Sequence, residues 1–215
     1  MKNVLILGAS GSIATLVTRN LIEDSRVRLT LLVRNPDHLA DDIRYDSRVT
    51  IVVADVVKDT AHLTAAMQGQ DLVYANLYGA NLKQQAQAVV SAMTTAKVTR
   101  IIWISANGIY NEIPGRYGQW NAQMLGSTLT AYAAGAKIIE NSRLQYTLVR
   151  PAWFSDKDLV SYELTQKGQP FKGTEVSRQS VASYLSALIL DPSQAINQSI
   201  GISEPHTDGS KPSFY

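Results

Sequence analysis

The sequence contains no cysteine, which excludes disulfide bonds, thiolate metal sites and a cysteine nucleophile. This composition fits a reducing compartment, and we expect a cytoplasmic protein. A strong charge of one sign is also lacking, because 20 basic and 18 acidic residues leave a formal charge of +2 with no basic run. We therefore expect neither nucleic acid nor an anionic membrane surface as a partner.

Long apolar runs are absent as well, since no stretch approaches the roughly 20 residues of a transmembrane helix. The residues after Lys2 loosely imitate a secretory signal, but the apolar run at 4–7 is too short for one. The histidines His38, His62 and His206 are scattered, without the spacing of a metal site or a catalytic triad. We predict that they lie on the surface, and we predict no metal site.

Apolar segments of strand length alternate with segments of helical periodicity along the chain. Strands are predicted at residues 4–7, 27–33, 49–54, 71–77, 100–106, 146–149 and 198–202. Helices are predicted after Gly11, at 82–97, at 120–143, and from the N-cap Ser177 to Asp191. This alternation predicts one Rossmann domain over residues 1–215, an α/β fold whose doubly wound parallel sheet has about six or seven strands and helices on both faces.

Two stretches, residues 107–119 and 152–174, show no clear regular pattern, and each follows the carboxyl end of a predicted strand. Ligands bind at that edge of open α/β sheets. Aromatic residues in or beside these stretches could form the walls of a pocket for a flat, apolar small molecule, with ordinary core packing as the alternative. They are Tyr110, Tyr117, Trp120, Trp153, Phe154, Tyr162 and Phe171.

The segment from Gly8 to Ala14 joins the first predicted strand to the first predicted helix. Gly8 permits a tight turn, Gly11 lets the backbone approach a diphosphate, and Ala14 keeps the helix close to the sheet. The start of the helix offers free N–H donors to phosphate groups. This context predicts a dinucleotide site, and its expected contacts are Gly8, Ser10, Gly11, Ser12 and Ile13.

The end of the second predicted strand carries Arg34, where NAD-specific sites carry an acidic residue for the ribose 2′-hydroxyl. A guanidinium group binds phosphate in bidentate fashion and also stacks on adenine. We therefore predict NADP(H) as the cofactor, with Arg34 on its 2′-phosphate. The alternative for this residue is a solvated charge at a strand end.

The GxxGxxA spacing of residues 8–14, Arg34, Asp55-Val56 and the stretch 146–151 together resemble the atypical short-chain dehydrogenase/reductases. The match is closest to the NmrA-like and biliverdin/flavin-reductase-like group, and it covers residues 1 to about 202. The resemblance implies that Asp55 and Val56 flank the adenine and that Asn76 lies near the adenosine ribose. It also places three residues beside the nicotinamide: Pro151, Ala152 and Trp153.

Members of the wider superfamily use a serine, a tyrosine and a lysine four residues after the tyrosine. By resemblance, Ser105 and Lys137 are the catalytic serine and lysine, and Lys137 also holds the nicotinamide ribose. The tyrosine is missing, because Ala133 stands four residues before Lys137. Tyr132, five residues before it, lies about 140° away around a helix, so we predict that it packs in the core. The alternatives are a small residue closing a strand for Ser105 and a surface pair with Glu140 for Lys137.

Together these features predict an NADPH-dependent oxidoreductase that transfers hydride to a small aromatic, quinone, flavin or carbonyl acceptor. The missing tyrosine favours flavins and quinones, because their proton can come from solvent. It also leaves open a non-catalytic, NADP(H)-binding redox-sensing regulator of the NmrA-like type. Apart from the small-molecule substrate, the sequence predicts no partner and no particular oligomeric state.

Overall fold

The computed structural model describes all of residues 1–215. Its strands are β1 (Lys2–Leu7), β2 (Val27–Val33), β3 (Val49–Val53), β4 (Leu72–Ala75), β5 (Arg100–Ile104), β6 (Gln145–Pro151), β7 (Trp153–Ser155), β8 (Glu163–Gln166), β9 (Glu175–Ser177) and β10 (Gln198–Ser203). Its helices are α1 (Ser12–Ile22), α2 (Asp41–Arg44), α3 (Thr60–Met67), α4 (Leu82–Ala96), α5 (Gly115–Leu125), α6 (Ser127–Glu140) and α7 (Arg178–Leu190).

Eight strands form one sheet in the order β3-β2-β1-β4-β5-β6-β10-β8. All neighbours run parallel except β10 and β8, which pair antiparallel at the edge. The chain moves outward from β1 to β3 and then returns to place β4 on the other side of β1. This arrangement is the predicted Rossmann fold, and it creates a topological switch point between β1 and β4.

Alternate side chains of the central strands enter two hydrophobic cores, one on each face of the sheet. Val4 and Ile6 of β1 pack in the core that contains α1 and α7. Leu5 and Leu7 pack in the core that contains α3, α4 and α6. All four side chains are fully buried, as expected for a parallel strand covered on both faces.

The sheet has more strands than predicted, because parts of the stretch 152–174 become regular. β8 joins the edge of the sheet beside β10, and β7 pairs with β9 in a separate two-stranded sheet. The β8 sequence, Glu-Leu-Thr-Gln, contains no apolar run, so hydrophobic patterning does not reveal it. The other stretch predicted to be irregular, 107–119, also ends early, since α5 begins at Gly115.

The prediction of one helix over residues 120–143 is wrong, because two helices meet at Gly126. The backbone of Gly126 has φ +49° and ψ −125°, a conformation that side-chain-bearing residues rarely adopt. The helical spacing of apolar residues continues across this break, and periodicity alone therefore predicted a single helix.

The last helix agrees with the sequence. Ser177 caps α7, since its hydroxyl accepts a hydrogen bond from the Ser180 N–H at 3.0 Å, and the helix ends before Asp191. His38, His62 and His206 are all exposed, as predicted. None of the seven helices is both long and apolar enough to cross a membrane.

A buried ion pair fixes the loop that follows β5. The Arg150 guanidinium on β6 is fully buried, and it contacts the Glu112 carboxylate, which is 4% exposed. The same carboxylate accepts hydrogen bonds from the N–H groups of Gly108, at 3.0 Å, and Tyr110, at 2.9 Å. The charge of Arg150 therefore has a partner, and that partner also holds the loop backbone.

We predict that Glu112→Ala lowers the free energy of unfolding by about 3–5 kcal/mol, because it leaves the Arg150 charge buried and unpaired. Asp42→Ala is the matched control, since it breaks an exposed ion pair with Arg19 and costs about 0–1 kcal/mol. Denaturant unfolding of both variants measures the difference. Equal losses in the two variants would contradict a structural role for the buried pair.

Candidate functional site

The strands β1 to β4 end at one edge of the sheet, where the segments that follow them surround a cavity of about 740 Å³. The cavity lies at the switch point between β1 and β4, the position where open α/β sheets bind ligands. Seven of the predicted cofactor contacts line it: Gly8, Ser10, Gly11, Arg34, Asp55, Val56 and Asn76.

The turn after β1 touches the end of β4 through bare backbone. Gly8 has φ +70°, and a Cβ added to it would lie 2.3 Å from the backbone carbonyl oxygen of Asn76. A Cβ on Gly11 would lie 2.3 Å from the side-chain nitrogen of Asn76. Close packing against backbone therefore requires glycine at position 8, whereas a side chain at position 11 would displace the Asn76 side chain. The turn presents main-chain atoms to the cavity.

The helix α1 starts directly after this turn, and no side chain caps it. Gly11 is the N-cap residue, and the first backbone bond into the helix runs from Thr15 N–H to the Gly11 carbonyl, at 2.8 Å. The amides of Ser12, Ile13 and Ala14 precede this bond and are the free donors of the first turn. The side chains of Ile13 and Ala14 are buried against the sheet, so the helix start is held close to the cavity.

Arg34 follows β2 directly, and its exposed side chain lines the cavity beside Asn35 and His38. It takes part in no ion pair and no side-chain hydrogen bond in the structure. Seven of the other ten arginines bond a carboxylate or a carbonyl, as Arg44 does with Asp37, whereas Arg28, Arg116 and Arg143 do not. The guanidinium of Arg34 is thus available to a ligand in the cavity.

Asp55, at the end of β3, uses its carboxylate to order the turn that follows. Its Oδ1 accepts hydrogen bonds from the N–H groups of Val57, at 2.9 Å, and Lys58, at 3.0 Å. These backbone bonds hold the pKa of the Asp55 carboxyl below its usual value, and the nearby charges of Lys58 and Arg34 act in the same direction. The carboxylate therefore stays ionised and fixes the wall of the cavity.

Other predicted contacts lie outside this cavity. Ser105 is buried just beyond β5, where its N–H bonds the Val149 carbonyl and its hydroxyl has no hydrogen-bond partner. Lys137 is exposed on α6, without an ion pair, and the buried residues of that helix are Gly135, Ala136 and Ile139. The structure does not bring Ser105 and Lys137 into the cavity that holds the turn.

The remaining predicted residues follow β6 or lie at its end. Pro151 ends the strand, and Ala152 is buried with its N–H bonded to the Ile202 carbonyl at 2.9 Å. Trp153 is half-buried, and its indole N–H donates to the Asn121 side chain at 2.7 Å. These residues are at the correct edge of the sheet for a nicotinamide, and their role stays a prediction.

Several lining residues were missed from the sequence, namely His38 and the residues Tyr78, Gly79, Asn81 and Gln85 after β4. Gln85 is buried, and its side-chain amide donates to the Tyr78 carbonyl at 3.1 Å and to Asn81 at 2.7 Å. The switch-point rule could have found the segment 78–85, because it follows the strand beside β1.

Three tyrosines of the aromatic loops and of α6 have a pKa raised by burial, the opposite of an activated acid. Burial raises the pKa of Tyr117, whose hydroxyl accepts from Asn107 at 2.8 Å and lies 3.1 Å from the Thr174 carbonyl. Burial also raises the pKa of Tyr110 and that of Tyr132. Tyr132 packs against the core that contains α4, in agreement with its predicted position.

The two aromatic loops do meet, although not all of their rings take part. The ring centroids of Trp120 and Trp153 are 4.9 Å apart, and Tyr215 lies 5.1 Å from the first and 5.2 Å from the second. Phe171 is fully buried, and Tyr162 packs on Tyr184, so these two belong to ordinary packing. Tyr215 was not predicted to join the cluster.

The chain is similar to a protein family and to several solved structures. Residues 8–192 match the model of a family described as NAD(P)H-binding. A Rossmann-fold NAD(P)-binding family protein from Shigella flexneri is 41% identical over 100% of both chains, with a TM-score of 0.86. A short-chain dehydrogenase/reductase from Veillonella parvula, solved in complex with NADP, is 26% identical over 99% of each chain, with a TM-score of 0.93.

More distant structures share the fold. ChuY, an anaerobilin reductase from Escherichia coli O157:H7, is 18% identical over 97% of this chain and 100% of its own, with a TM-score of 0.80. No curated protein matches the sequence.

We predict that Gly8→Ala abolishes nucleotide binding and destabilises the protein, because its methyl group would overlap the Asn76 carbonyl. Gly69→Ala is the matched control, since Gly69 has nearly the same φ, +73°, and an added Cβ there meets no atom within 4 Å. The free energy of unfolding of the control should fall by only about 1–2 kcal/mol, the cost of placing a non-glycine residue in the left-handed conformation. Thermal unfolding and NADPH titration of the two variants test this, and equal behaviour would contradict it.

Proposed function

Because this chain belongs to the NAD(P)H-binding family of Rossmann-fold proteins, we propose that it is an NADPH-dependent oxidoreductase that reduces a small aromatic acceptor, such as a flavin or a quinone. The observation that carries the proposal is the unpaired Arg34 in the cavity beside the bare turn at Gly8. The proposal includes the cytoplasmic location expected from the composition and the carbonyl compounds expected as weaker acceptors.

The chain's own groups fit the parts of NADP. The free amides at the start of α1 suit the diphosphate, because donors and the helix dipole both favour an anion there. Arg34 suits the 2′-phosphate, since its planar group can donate two parallel hydrogen bonds to phosphate oxygens. The Asp55 carboxylate is already bonded to Val57 and Lys58, so it does not replace the acidic residue of an NAD-specific site.

We predict that Arg34→Gln weakens NADPH binding by about 10- to 150-fold, the value of a hydrogen bond to a charged group. Affinity for NADH should be unchanged, because NADH has no 2′-phosphate. Arg143→Gln is the control, since Arg143 is exposed and lies outside the cavity. Titration calorimetry gives the constants, and an equal loss for both nucleotides would contradict the assignment of Arg34.

The choice of acceptor follows from the groups that can move a proton. When bound, reduced nicotinamide supplies a hydride, which carries two electrons, and the acceptor then needs one proton. No tyrosine stands four residues before Lys137, and the pKa of Tyr110, Tyr117 and Tyr132 is raised by burial, which disfavours ionisation of these phenols. Water can supply the proton to a reduced flavin or quinone, whereas carbonyl reduction gains much more from a positioned acid.

The acceptor side of the site has an aromatic surface. Trp153 follows β6 at the edge where the family resemblance puts the nicotinamide, and Trp120 and Tyr215 pack against it. Offset and edge-to-face arrangements of this kind suit a flat aromatic ligand. The unpartnered hydroxyl of Ser105 is a second group that could bond to an acceptor, because burial without a partner is costly.

We predict NADPH oxidation with flavins and quinones, faster than with aldehydes, measured by the loss of absorbance of the reduced nicotinamide. Tyr132→Phe should leave the rate within about twofold, because this tyrosine is not expected to donate a proton. Ala133→Tyr, which restores the missing tyrosine, serves as the comparison. The proposal fails if no acceptor in such a panel oxidises NADPH.

A redox-sensing regulator that binds NADP(H) without turnover is the second candidate. It is favoured by the exposed position of Lys137 on α6 and by Ala133 in place of the tyrosine. Calorimetry separates the two functions, since a sensor should bind NADP⁺ and NADPH with very different constants and oxidise nothing.

A further inference from the structure

A second cavity lies on the other side of the nucleotide turn. It has a volume of about 590 Å³ and is lined by three groups of residues: one side of α1 from Ser12 to Arg19, the segment 155–158 at the end of β7, and the first two residues of α7. Ser10 and Gly11 line the first cavity, and the next residue, Ser12, lines the second. The two cavities therefore flank the same helix start.

Two buried donors in the walls of this cavity have no partner. The Ser155 hydroxyl is one, on a residue that is 7% exposed, and the Arg178 Nε–H is the other. A buried donor without an acceptor costs about 1–3 kcal/mol, so such groups in native proteins usually bond an ordered water, an ion or a ligand. Two such donors in one cavity favour a ligand that accepts hydrogen bonds.

The Arg178 side chain is held in place by its neighbours. Its Nη1 donates to Asp156, and its guanidinium carbon lies 5.4 Å from the centre of the Phe154 ring. One edge of the guanidinium is thus occupied, whereas Nε has no acceptor. A fixed guanidinium with a free donor binds the oxygen of an anion at low entropic cost.

The cations of the lining are already paired, so the free donors decide which ligand fits. Arg19 pairs with Asp42, Lys157 pairs with Glu175 and Glu204, and Arg178 pairs with Asp156. The uncapped first turn of α1 adds the positive end of a helix dipole on the same wall. Only one of the ten lining residues is hydrophobic, so an apolar ring does not fit here and a charged substituent does.

We infer that this second cavity binds the anionic substituent of the acceptor, a phosphate or a carboxylate, through Arg178 and Ser155. The inference rests on the proposed function, because it treats the ligand as the acceptor. Ser155 ends the short strand that begins at Trp153, so an acceptor whose ring lies against Trp153 can direct its substituent toward the cavity. The protein would then prefer acceptors that carry such a group.

The experiment compares matched acceptors with and without the anion: FMN with riboflavin for a phosphate, and a carboxylated naphthoquinone with menadione for a carboxylate. For each pair, the ratio of the two kcat/KM values is measured in the unmodified protein and in the variants. Arg178→Met should reduce the FMN-to-riboflavin ratio by at least about tenfold, as expected for a lost hydrogen bond to a charged group. A fall confined to one pair identifies phosphate or carboxylate as the group that binds.

Two further variants separate this effect from a general defect. Ser155→Ala should reduce the same ratio by a smaller factor without lowering the melting temperature, because the hydroxyl has no partner to lose. Arg143→Met, an exposed arginine outside both cavities, should leave the ratio unchanged. The dissociation constant of NADPH should also stay unchanged in Arg178→Met, which excludes the diphosphate as the anion concerned.

A ratio of one in the unmodified protein, or a ratio that Arg178→Met does not alter, would overturn the inference. Failure of the proposed function is visible separately, as no NADPH oxidation with any acceptor. In that case, calorimetric titration of the NADP⁺-loaded protein with FMN and riboflavin tests the cavity directly. A preference for FMN that Arg178→Met removes supports the anion site, and equal binding of the two flavins overturns it.

Discussion

The close approach of the Gly8 backbone to the Asn76 carbonyl is the constraint on which the site depends. β4 lies beside β1, so the chain that leaves β1 must turn against the end of β4 before it enters α1. A side chain at Gly8 would fill that contact. Because the turn is bare, its backbone lines the same cavity as Arg34 and Asp55, which follow the neighbouring strands β2 and β3, and the free amides of α1 begin directly after it.

A second constraint acts on the other half of the carboxyl edge. The buried pair of Arg150 and Glu112 ties the loop after β5 to β6, and it holds that loop through the N–H groups of Gly108 and Tyr110. Burial removes the hydration of both charges, so such a pair need not add stability by itself, although losing one partner is strongly destabilising. The loop it orders leads into α5, which carries Trp120 to its contact with Trp153.

The features that could be predicted from sequence are those that depend on local order along the chain. A strand, a glycine turn and a helix are consecutive in residues 2–22, and Arg34 directly follows a strand, so their positions at one edge follow from the parallel sheet alone. The break at Gly126 and the pairing of β8 depend on tertiary contacts that no apolar pattern records. The same holds for Tyr215, which reaches Trp120 and Trp153 across long stretches of sequence.

Lys137 matches the family motif by spacing, and its role at the cofactor stays a prediction. α6 begins at Ser127 and buries Gly135, Ala136 and Ile139. The side chain of Lys137 is therefore exposed to solvent. Burial raises the pKa of Tyr132 on the same helix, which opposes acid catalysis by this phenol. Flavins and quinones, the acceptors of the proposed function, can take their proton from water instead.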